Sequence, residues 1–301
     1  MTKFAFAIFV AAAVALVASM SSGPAAARLE PRKTGHVQVC ASTTAKNKPN
    51  KADINRRIAA LKHAKAAASN SSSTAASLVG VTTVPVVWHI ITDGTRGSIS
   101  PDVQAAQMSK LNDDYARAGM PFQFHLTSAD VVTNADWFNN AFPREASKRL
   151  MQRALKKGGV ETLNIYTTNL YDEGLVGYSS FPTDYQDDPD SDGIIVDYRT
   201  VPGGAIPSFN MGRAISHETG HWVGLEHPFE GYCDGGDQVG DTPAERVQSK
   251  GCPEGKDTCP EMPGLDPIHN IMDYADDSCA NEFTSGQVNR ATIMTQQYRH
   301  F

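Results

Sequence analysis

The sequence predicts an α+β fold in which a regular first part precedes an irregular second part. Segments typical of strands and of helices alternate between residues 82 and 225, whereas the chain after residue 227 is rich in Gly, Pro, Asp and Cys. Hydrophobic residues make up 41% of the 301 residues, which is enough for a substantial core in one or two domains. The net charge of −6 comes without a basic block, which argues against nucleic acid as the main partner.

The N-terminal stretch has the composition of a secretory signal peptide. Lys3 is followed by an uncharged apolar run from Phe4 to Val17 and then by small residues. A membrane anchor is the alternative, but the run is short for a span and Ala-rich cleavage sites follow it. We predict a signal peptide over residues 1–20, with cleavage no later than residue 27, and a secreted, extracellular protein that leaves the membrane after cleavage.

Residues 21–80 have the composition of a pro-segment or a linker. They are rich in Ala, Lys, Ser and Thr, although residues 53–68 are compatible with a short helix. Asn70 opens an Asn-Ser-Ser glycosylation sequon, which suits an exported chain. The composition changes near residue 81, and we expect the main domain to occupy residues 81–301.

The elements of the regular part can be justified in chain order. Ser100 is a suitable N-cap and Pro101 a suitable first residue for one helix, and Gly158 is a stop signal for the next. β-branched and aromatic residues favour the strands between them. The predicted elements are a strand over 82–92, a helix over 100–119, a strand over 122–132, a helix over 143–159, strands over 162–170, 174–181 and 192–201, and a helix over 211–225.

The last predicted helix carries the start of the motif HETGHWVGLEH, residues 217–227. His217 and His221 are four residues apart, so they lie one turn apart on the same face and can direct a ring nitrogen at one ion. Glu218 lies to one side of these ligands, where a carboxylate can reach a water molecule at the metal. The spacing therefore predicts two metal ligands and an adjacent general base.

Gly224 explains how a third histidine joins this pair. A continuous helix would place His227 roughly 15 Å along the axis from His217, so the helix must end and the chain must turn back. Glycine can adopt positive φ and end a helix in this way. Three neutral imidazoles leave one coordination position open, which is typical of catalytic rather than structural zinc. A core helix that contains histidines by chance does not account for the five matched positions.

The five cysteines predict disulfides in the irregular part. Cys233, Cys252, Cys259 and Cys279 follow the histidine motif, and three pairings among them are possible. Cys40 lies far upstream and is left over. Because the loops after residue 227 have little apolar content, we expect cross-links to replace core there.

A further motif, HNIMDY, makes the pattern specific. It places Met272 and Tyr274 some forty-five residues after His227, where proteases with an extended zinc helix have a tight turn that puts a methionine beneath the histidines. With these motifs the chain resembles the pappalysin-type metzincins, and in particular the secreted fungal and bacterial metalloproteases of the cytophagalysin group. The resemblance extends over roughly residues 82–290 and includes the stretches GLVGYSSFP, DGIIVDYRTVPGG, HETGHWVGLEHPFEGYC and GLDPIHNIMDYADDSCANEFTSGQ.

The resemblance implies a metzincin-like zincin fold in two parts. An upper part, residues 81–227, would hold a twisted, mostly parallel sheet, a backing helix and the zinc helix. A small, irregular, disulfide-linked lower part, residues 228–301, would hold the methionine turn, with the substrate in the cleft between the two. The family pattern pairs the cysteines as Cys233–Cys259 and Cys252–Cys279.

The resemblance also implies zinc as the cofactor and polypeptides as substrates. We expect a secreted, monomeric endopeptidase in which zinc activates water, Glu218 is the general base, Tyr274 supports the oxyanion and Met272 forms an apolar floor. A secreted binding protein with an inert zinc site and a zinc amidase that acts on non-peptide amides are the alternatives. Mass-spectrometric cleavage profiling of a peptide library would distinguish them best.

Two further predictions from the resemblance concern a second cation and latency. Some relatives bind calcium in the lower part, and Asp237, Asp241 and Thr242 offer oxygens in the matching loop, although an ordinary polar loop explains them equally well. The thiolate of Cys40 is a candidate ligand for the open zinc position, which would keep a precursor latent. A free or intermolecularly paired cysteine is the alternative.

Overall fold

The computed structural model of the protein describes residues 37–42, 51–70 and 80–301. The predicted signal peptide, residues 1–20, lies outside the described residues, as do the side chain of Asn70 and the rest of its sequon. None of the helices that the structure describes has the length and apolar composition of a membrane span.

A six-stranded sheet forms the centre of the fold. Its spatial order is β1-β5-β6-β4-β2-β3; β5 and β6 are antiparallel, and every other neighbouring pair is parallel. The predicted mostly parallel sheet is therefore confirmed. The strands are β1 (Gln38–Cys40), β2 (Thr82–Thr92), β3 (Phe122–Thr133), β4 (Leu163–Thr168), β5 (Leu175–Ser179) and β6 (Ile194–Asp197).

Helices cover both faces of the sheet, which is why the long strand β2 is almost wholly buried. On one face, Trp88 of β2 packs in a cluster with Leu111 of the backing helix and Trp222 of the zinc helix. On the other face, Ile91 of β2 packs with Phe138 and Met151. The helices are α1 (Lys51–Asn70), the backing helix α2 (Pro101–Arg117), α3 (Ala135–Asn140), α4 (Ala146–Leu155), the zinc helix α5 (Arg213–Trp222) and α6 (Ser285–Tyr298).

Local signals in the sequence place most of these elements. Strand β2 has the predicted bounds, and the Ser100 side chain accepts a hydrogen bond from the Val103 amide at the start of α2. The elements predicted over 143–159 and 192–201 are shorter than expected. Helix α4 ends at Leu155, before Gly158, and β6 ends where the Asp197 carboxylate accepts the Arg199 amide.

The chain after residue 227 is loop-rich as expected, with the exception of the fourteen-residue helix α6, which was not predicted. It begins at a capping box in which Thr284 and Gln287 satisfy each other's backbone amides. The remainder of the lower part is irregular, as expected. Disulfides join Cys233 to Cys259 and Cys252 to Cys279, the pairing that the resemblance implied.

Candidate metal centre and catalytic cleft

Three histidines converge at the end of the zinc helix. The Nε2 atom of His227 lies 3.3 Å from that of His217 and 3.0 Å from that of His221. All three side chains are buried. The sequence-predicted ligands are thus brought together with one nitrogen each directed at a common point.

Backbone carbonyls fix which nitrogen of each helical histidine faces this point. The Nδ1 atom of His217 lies 2.7 Å from the Ile271 carbonyl oxygen, and that of His221 lies 2.8 Å from the Leu225 carbonyl oxygen. A carbonyl oxygen can only accept, so each Nδ1 is the protonated donor and each Nε2 keeps its lone pair.

The protonation states of the histidines suit a metal. Burial lowers the pKa of His217 to about 4, and burial together with the neighbouring imidazoles lowers the pKa of His221 well below its usual value. Burial likewise lowers the pKa of His227, whose Nδ1 faces the Glu230 carboxylate at 3.2 Å. Three neutral imidazoles with aligned lone pairs fit zinc, and their outer nitrogens already have partners.

Gly224 is required at its position for two reasons. Its φ of +102° lies in the left-handed region, where the helix ends and the chain turns back toward His227. A Cβ atom at this position would lie 2.6 Å from the Cβ atom of Met294 in α6. The turn therefore needs a residue without a side chain on both conformational and steric grounds.

Met272 is fully buried under the zinc helix, where its Sδ atom leaves no room for a side chain at Gly220. Its backbone amide donates to the Asn270 side chain, which in turn is hydrogen-bonded to Gln287 of α6. Helix α6 thus supports the methionine turn from behind, and Met272 contributes an apolar surface and no ligand.

Glu218 is buried beside the histidines and against strand β5. Burial raises the pKa of its carboxyl group to about 8. A Cβ atom at Gly177 would lie 2.8 Å from Oε1 of Glu218, so the strand carries a glycine where the carboxylate approaches it. Sequence analysis did not identify Gly177, although a lone glycine within a predicted strand is a known sign of close approach.

Residues 37–42 occupy the cleft beside the histidines. Strand β1 lies at the edge of the sheet and pairs with β5, with Cys40 opposite Gly177. The Sγ atom of Cys40 and one ring nitrogen from each of the three histidines all lie within 4.8 Å of one another. Cys40 and Ser42 also contact Oε2 of Glu218, at 3.4 and 3.2 Å.

Tyr274 contacts both the Cys40 backbone and the histidines. Its hydroxyl donates to the carbonyl oxygen of Cys40 at 2.9 Å, and its ring lies against His217 and His227. Burial, followed by the nearby Cys40 and Glu218, raises the pKa of this hydroxyl, which keeps it in the protonated, donating form.

The three oxygen-bearing residues expected in a calcium loop have protein partners. Both carboxylate oxygens of Asp241 accept hydrogen bonds from the first turn of α6 or its cap, from the Thr284 and Ser285 hydroxyls and the Gly286 amide. The carboxylate of Asp237 accepts from the Val239 amide and from Gln287. The hydroxyl of Thr242 lies 3.4 Å from that of Thr284.

Sequence analysis missed Arg290 of α6, which contacts the turn between the second and third histidines. Its Nε donates to the Gly224 carbonyl at 2.8 Å, and its Nη2 lies 3.2 Å from the Glu226 carboxylate. These contacts hold the turn that carries His227. No local pattern in the sequence predicts this role, because the arginine is remote in sequence from the turn.

The sequence is similar to those of known metalloproteases. The model of the peptidase family described as pregnancy-associated plasma protein-A matches residues 159–296. An extracellular metalloprotease of Pyricularia oryzae is 41% identical over 244 residues, covering 80% of this chain and 84% of the relative. One of Arthroderma benhamiae is 39% identical over 259 residues, covering 83% of each.

Two solved structures share the fold. Mature mirolysin of Tannerella forsythia, in complex with a cleaved peptide, has a TM-score of 0.59 and 26% identity, covering 70% of this chain and 90% of that one. A promirolysin mutant from the same organism has a TM-score of 0.61 and 24% identity, which shows the fold alone. The similarity to promirolysin covers 87% of this chain and 95% of the other. Because residues 81–301 are only 221 of the 301 residues, the similarity extends into the chain before residue 81.

Proposed function

Since the chain belongs to the pappalysin family of zinc metalloendopeptidases, we propose that its three converging histidines hold the catalytic zinc and that Glu218 is the general base. One observation carries this proposal. Three Nε2 atoms meet at one point beside a buried carboxylate, while the Nδ1 atoms of the two helical histidines are held by carbonyl oxygens. A core helix with chance histidines would have no reason to align all three lone pairs.

The position of each group in the site indicates its role in peptide hydrolysis. Bound zinc supplies Lewis acidity, which polarises a peptide carbonyl and makes water acidic near neutral pH. Glu218 accepts the proton of the attacking water and then delivers it to the leaving amine. The Glu218 carboxylate packs closely against the backbone at Gly177, where no side chain would fit, and this close packing restricts its orientation.

We assign Tyr274 a role in stabilising the oxyanion. In the present structure its hydroxyl donates to the carbonyl oxygen of Cys40, a peptide carbonyl that lies in the cleft. A substrate carbonyl in the same place would receive the same hydrogen bond, which strengthens as negative charge develops. The high pKa of Tyr274 keeps the proton available for this donation.

We propose that residues 21–80 are a pro-segment that keeps the enzyme latent. Strand β1, which carries Cys40, covers β5 where a substrate backbone would pass, and the thiol lies beside the three histidines. The likeness to promirolysin, which extends into this region, supports the proposal. Full-length Cys40→Ala protein should cleave peptides before any processing, and latency equal to that of the parent would eliminate the cysteine switch.

The remaining domain assignments are proposals of the same kind. We assign residues 1–20 to a signal peptide, residues 81–227 to the upper part and residues 228–301 to the lower part of the catalytic domain. Secretion is supported by the names of the relatives, which are extracellular metalloproteases. A monomer and glycosylation at Asn70 stay predictions from the sequence.

Polypeptides are the substrate class, as the cleaved peptide bound to mirolysin supports. This observation favours peptide hydrolysis over the amidase alternative, and family membership favours an enzyme over an inert zinc protein. Calcium binding at Asp237, Asp241 and Thr242 is a separate proposal, and it requires the cation to replace hydrogen bonds that the two carboxylates already accept from protein groups. Melting temperatures that agree in excess calcium and in a calcium chelator would refute it.

Zinc dependence is tested directly by chelation. Processed protein treated with 1,10-phenanthroline should lose peptide cleavage, because the histidine ligands then hold no metal. Stoichiometric zinc added after removal of the chelator should restore cleavage, with the non-chelating 1,7-isomer as the control. Full activity in the metal-free sample would contradict the proposal.

A further inference from the structure

Helix α1 packs on α6, a different element of the catalytic domain from the strand β5 that pairs with β1. Ile54, Ile58 and Leu61 follow the i, i+4, i+7 spacing and form one apolar face of α1. This face packs against Ile293, Met294 and Tyr298 of α6. Ile54 is only 1% exposed, so the contact buries its side chain fully.

The opposite face of α1 is exposed to solvent. Arg56 and Arg57 are exposed and pair with Asp53 of the same helix. Ala59 and Ala60 are exposed as well. The helix therefore presents one apolar face to α6 and one polar face to solvent, which is the pattern of a helix bound in a groove.

The surface beneath α1 belongs to the folded catalytic domain. Met294 packs against Gly224, and Arg290, one turn earlier, holds the turn that carries His227. Gln287 of the same helix supports the methionine turn through Asn270. Because these contacts fix α6 independently of α1, the apolar stripe persists when α1 leaves it.

We propose that α1 is a second anchor of the pro-segment, separate from the cleft, and that the segment binds the mature enzyme bivalently. This inference rests on the proposed latency and specifies its regulation. Strand β1 binds the edge of the cleft and α1 binds the stripe formed by Ile293, Met294 and Tyr298, while one stretch of chain, residues 43–50, joins the two.

Two linked contacts retain a fragment longer than either contact alone. Once α1 is docked, a short tether keeps β1 at an effective concentration of about millimolar near the cleft, so that rebinding outcompetes escape. A single cut between residues 70 and 81 therefore leaves the segment in place. Activation requires a further event, namely digestion of the segment or displacement of α1.

The test uses the full-length chain carrying Glu218→Gln, so that no self-digestion occurs. Residues 71–74 are replaced by the recognition site of a sequence-specific protease, and the chain is cut there. The measurement is the rate at which the N-terminal fragment separates from the C-terminal fragment, which contains the catalytic domain, in gel filtration and in a labelled-fragment dissociation assay. This readout needs no activity, so it is independent of whether Cys40 is a switch.

The decisive variant is Ile54→Asp with Ile58→Asp, and the matched control is Ala59→Asp with Ala60→Asp on the exposed face of the same helix. The first pair should speed dissociation at least about tenfold, because charged groups cannot occupy the apolar contact. The control pair should leave the rate unchanged. Ile293→Ala, which leaves the sequence of α1 intact, should also speed dissociation and so distinguishes lost contact from a melted helix.

The two anchors make separable contributions. Cys40→Ala in the same background should still retain the fragment through α1, whereas Cys40→Ala combined with the two aspartates should release it at once. Equal retention by the Ile54 and Ile58 variant and by its control would overturn the proposal. Equal release by the control pair would overturn it too, since the apolar face would then have no special role.

Discussion

The upper and lower parts of the catalytic domain are stabilised in different ways. The upper part buries a sheet between helices, with Trp88, Ile165 and Ile194 inaccessible to solvent. The lower part contributes Met272, Phe283 and Val288 to the same core, but its loops have only a small separate cluster around Ile268 and Ala275, and two disulfides cross-link them. Packing alone therefore stabilises the upper part, whereas covalent cross-links supplement packing in the loops of the lower part.

The catalytic site lies where the two kinds of structure meet. The zinc helix belongs to the upper part, but the carbonyl of Ile271 in the lower part fixes the orientation of His217. Met272 supports the helix from below at Gly220. Because each part supplies groups that orient the other's, damage to either frame should reach the metal site.

The largest loss of stability should come from the core of the upper part. Trp88→Ala removes a fully buried side chain from the central strand and should lower the free energy of unfolding by about 3–5 kcal/mol. Val131→Ala, on the neighbouring strand but 64% exposed, should change it by less than about 0.5 kcal/mol. Urea denaturation of both variants measures the difference, and comparable losses would contradict the assigned core.

A smaller loss is expected when a cross-link in the lower part is removed. Cys252→Ala with Cys279→Ala opens a loop with a sequence separation of 27 and should cost about 2–4 kcal/mol. Limited proteolysis should then cut first within residues 228–301, while the sheet stays protected. Non-reducing peptide mapping of the parent supplies the control, and a Cys233–Cys252 peptide there would refute the pairing.

The smallest of these effects concerns the cap of α6. Asp241→Asn weakens the hydrogen bonds to Ser285 and Gly286 and removes negative charge near the N-terminus of the helix, so it should cost about 0.5–2 kcal/mol. Thermal melting with and without calcium measures it. A loss that appears only when calcium is present would show that Asp241 serves a cation and not the helix.

Sequence reasoning succeeds where a local rule fixes the structure. The spacing of His217, His221 and His227 around Gly224 predicts the ligand geometry. Residues four apart share one face of a helix, and glycine can adopt the positive φ that ends the helix and turns the chain back. Strand β2 is recognisable from its β-branched and aromatic residues, which suit a position buried on both faces.

The elements that escaped prediction depend on tertiary context. Residues 286–295 of α6 are all buried, including Gln287, Arg290 and Thr292, so no apolar period marks the helix. Strand β1 is only three residues long and exists through its pairing with β5. Neither the packing of α1 on α6 nor the contact between Arg290 and Gly224 can be inferred without the folded structure.

The most direct test of the account is Glu218→Gln in the processed enzyme, with Glu261→Gln, an exposed glutamate paired with Arg246, as the control. Glutamine is nearly isosteric, so zinc content should stay near one per chain. Because the proton acceptor is lost, peptide cleavage should fall by at least about 10²–10⁴-fold, while the control cleaves at the parental rate. A Glu218→Gln protein that retains its zinc and cleaves at the parental rate would contradict the role of Glu218 as general base.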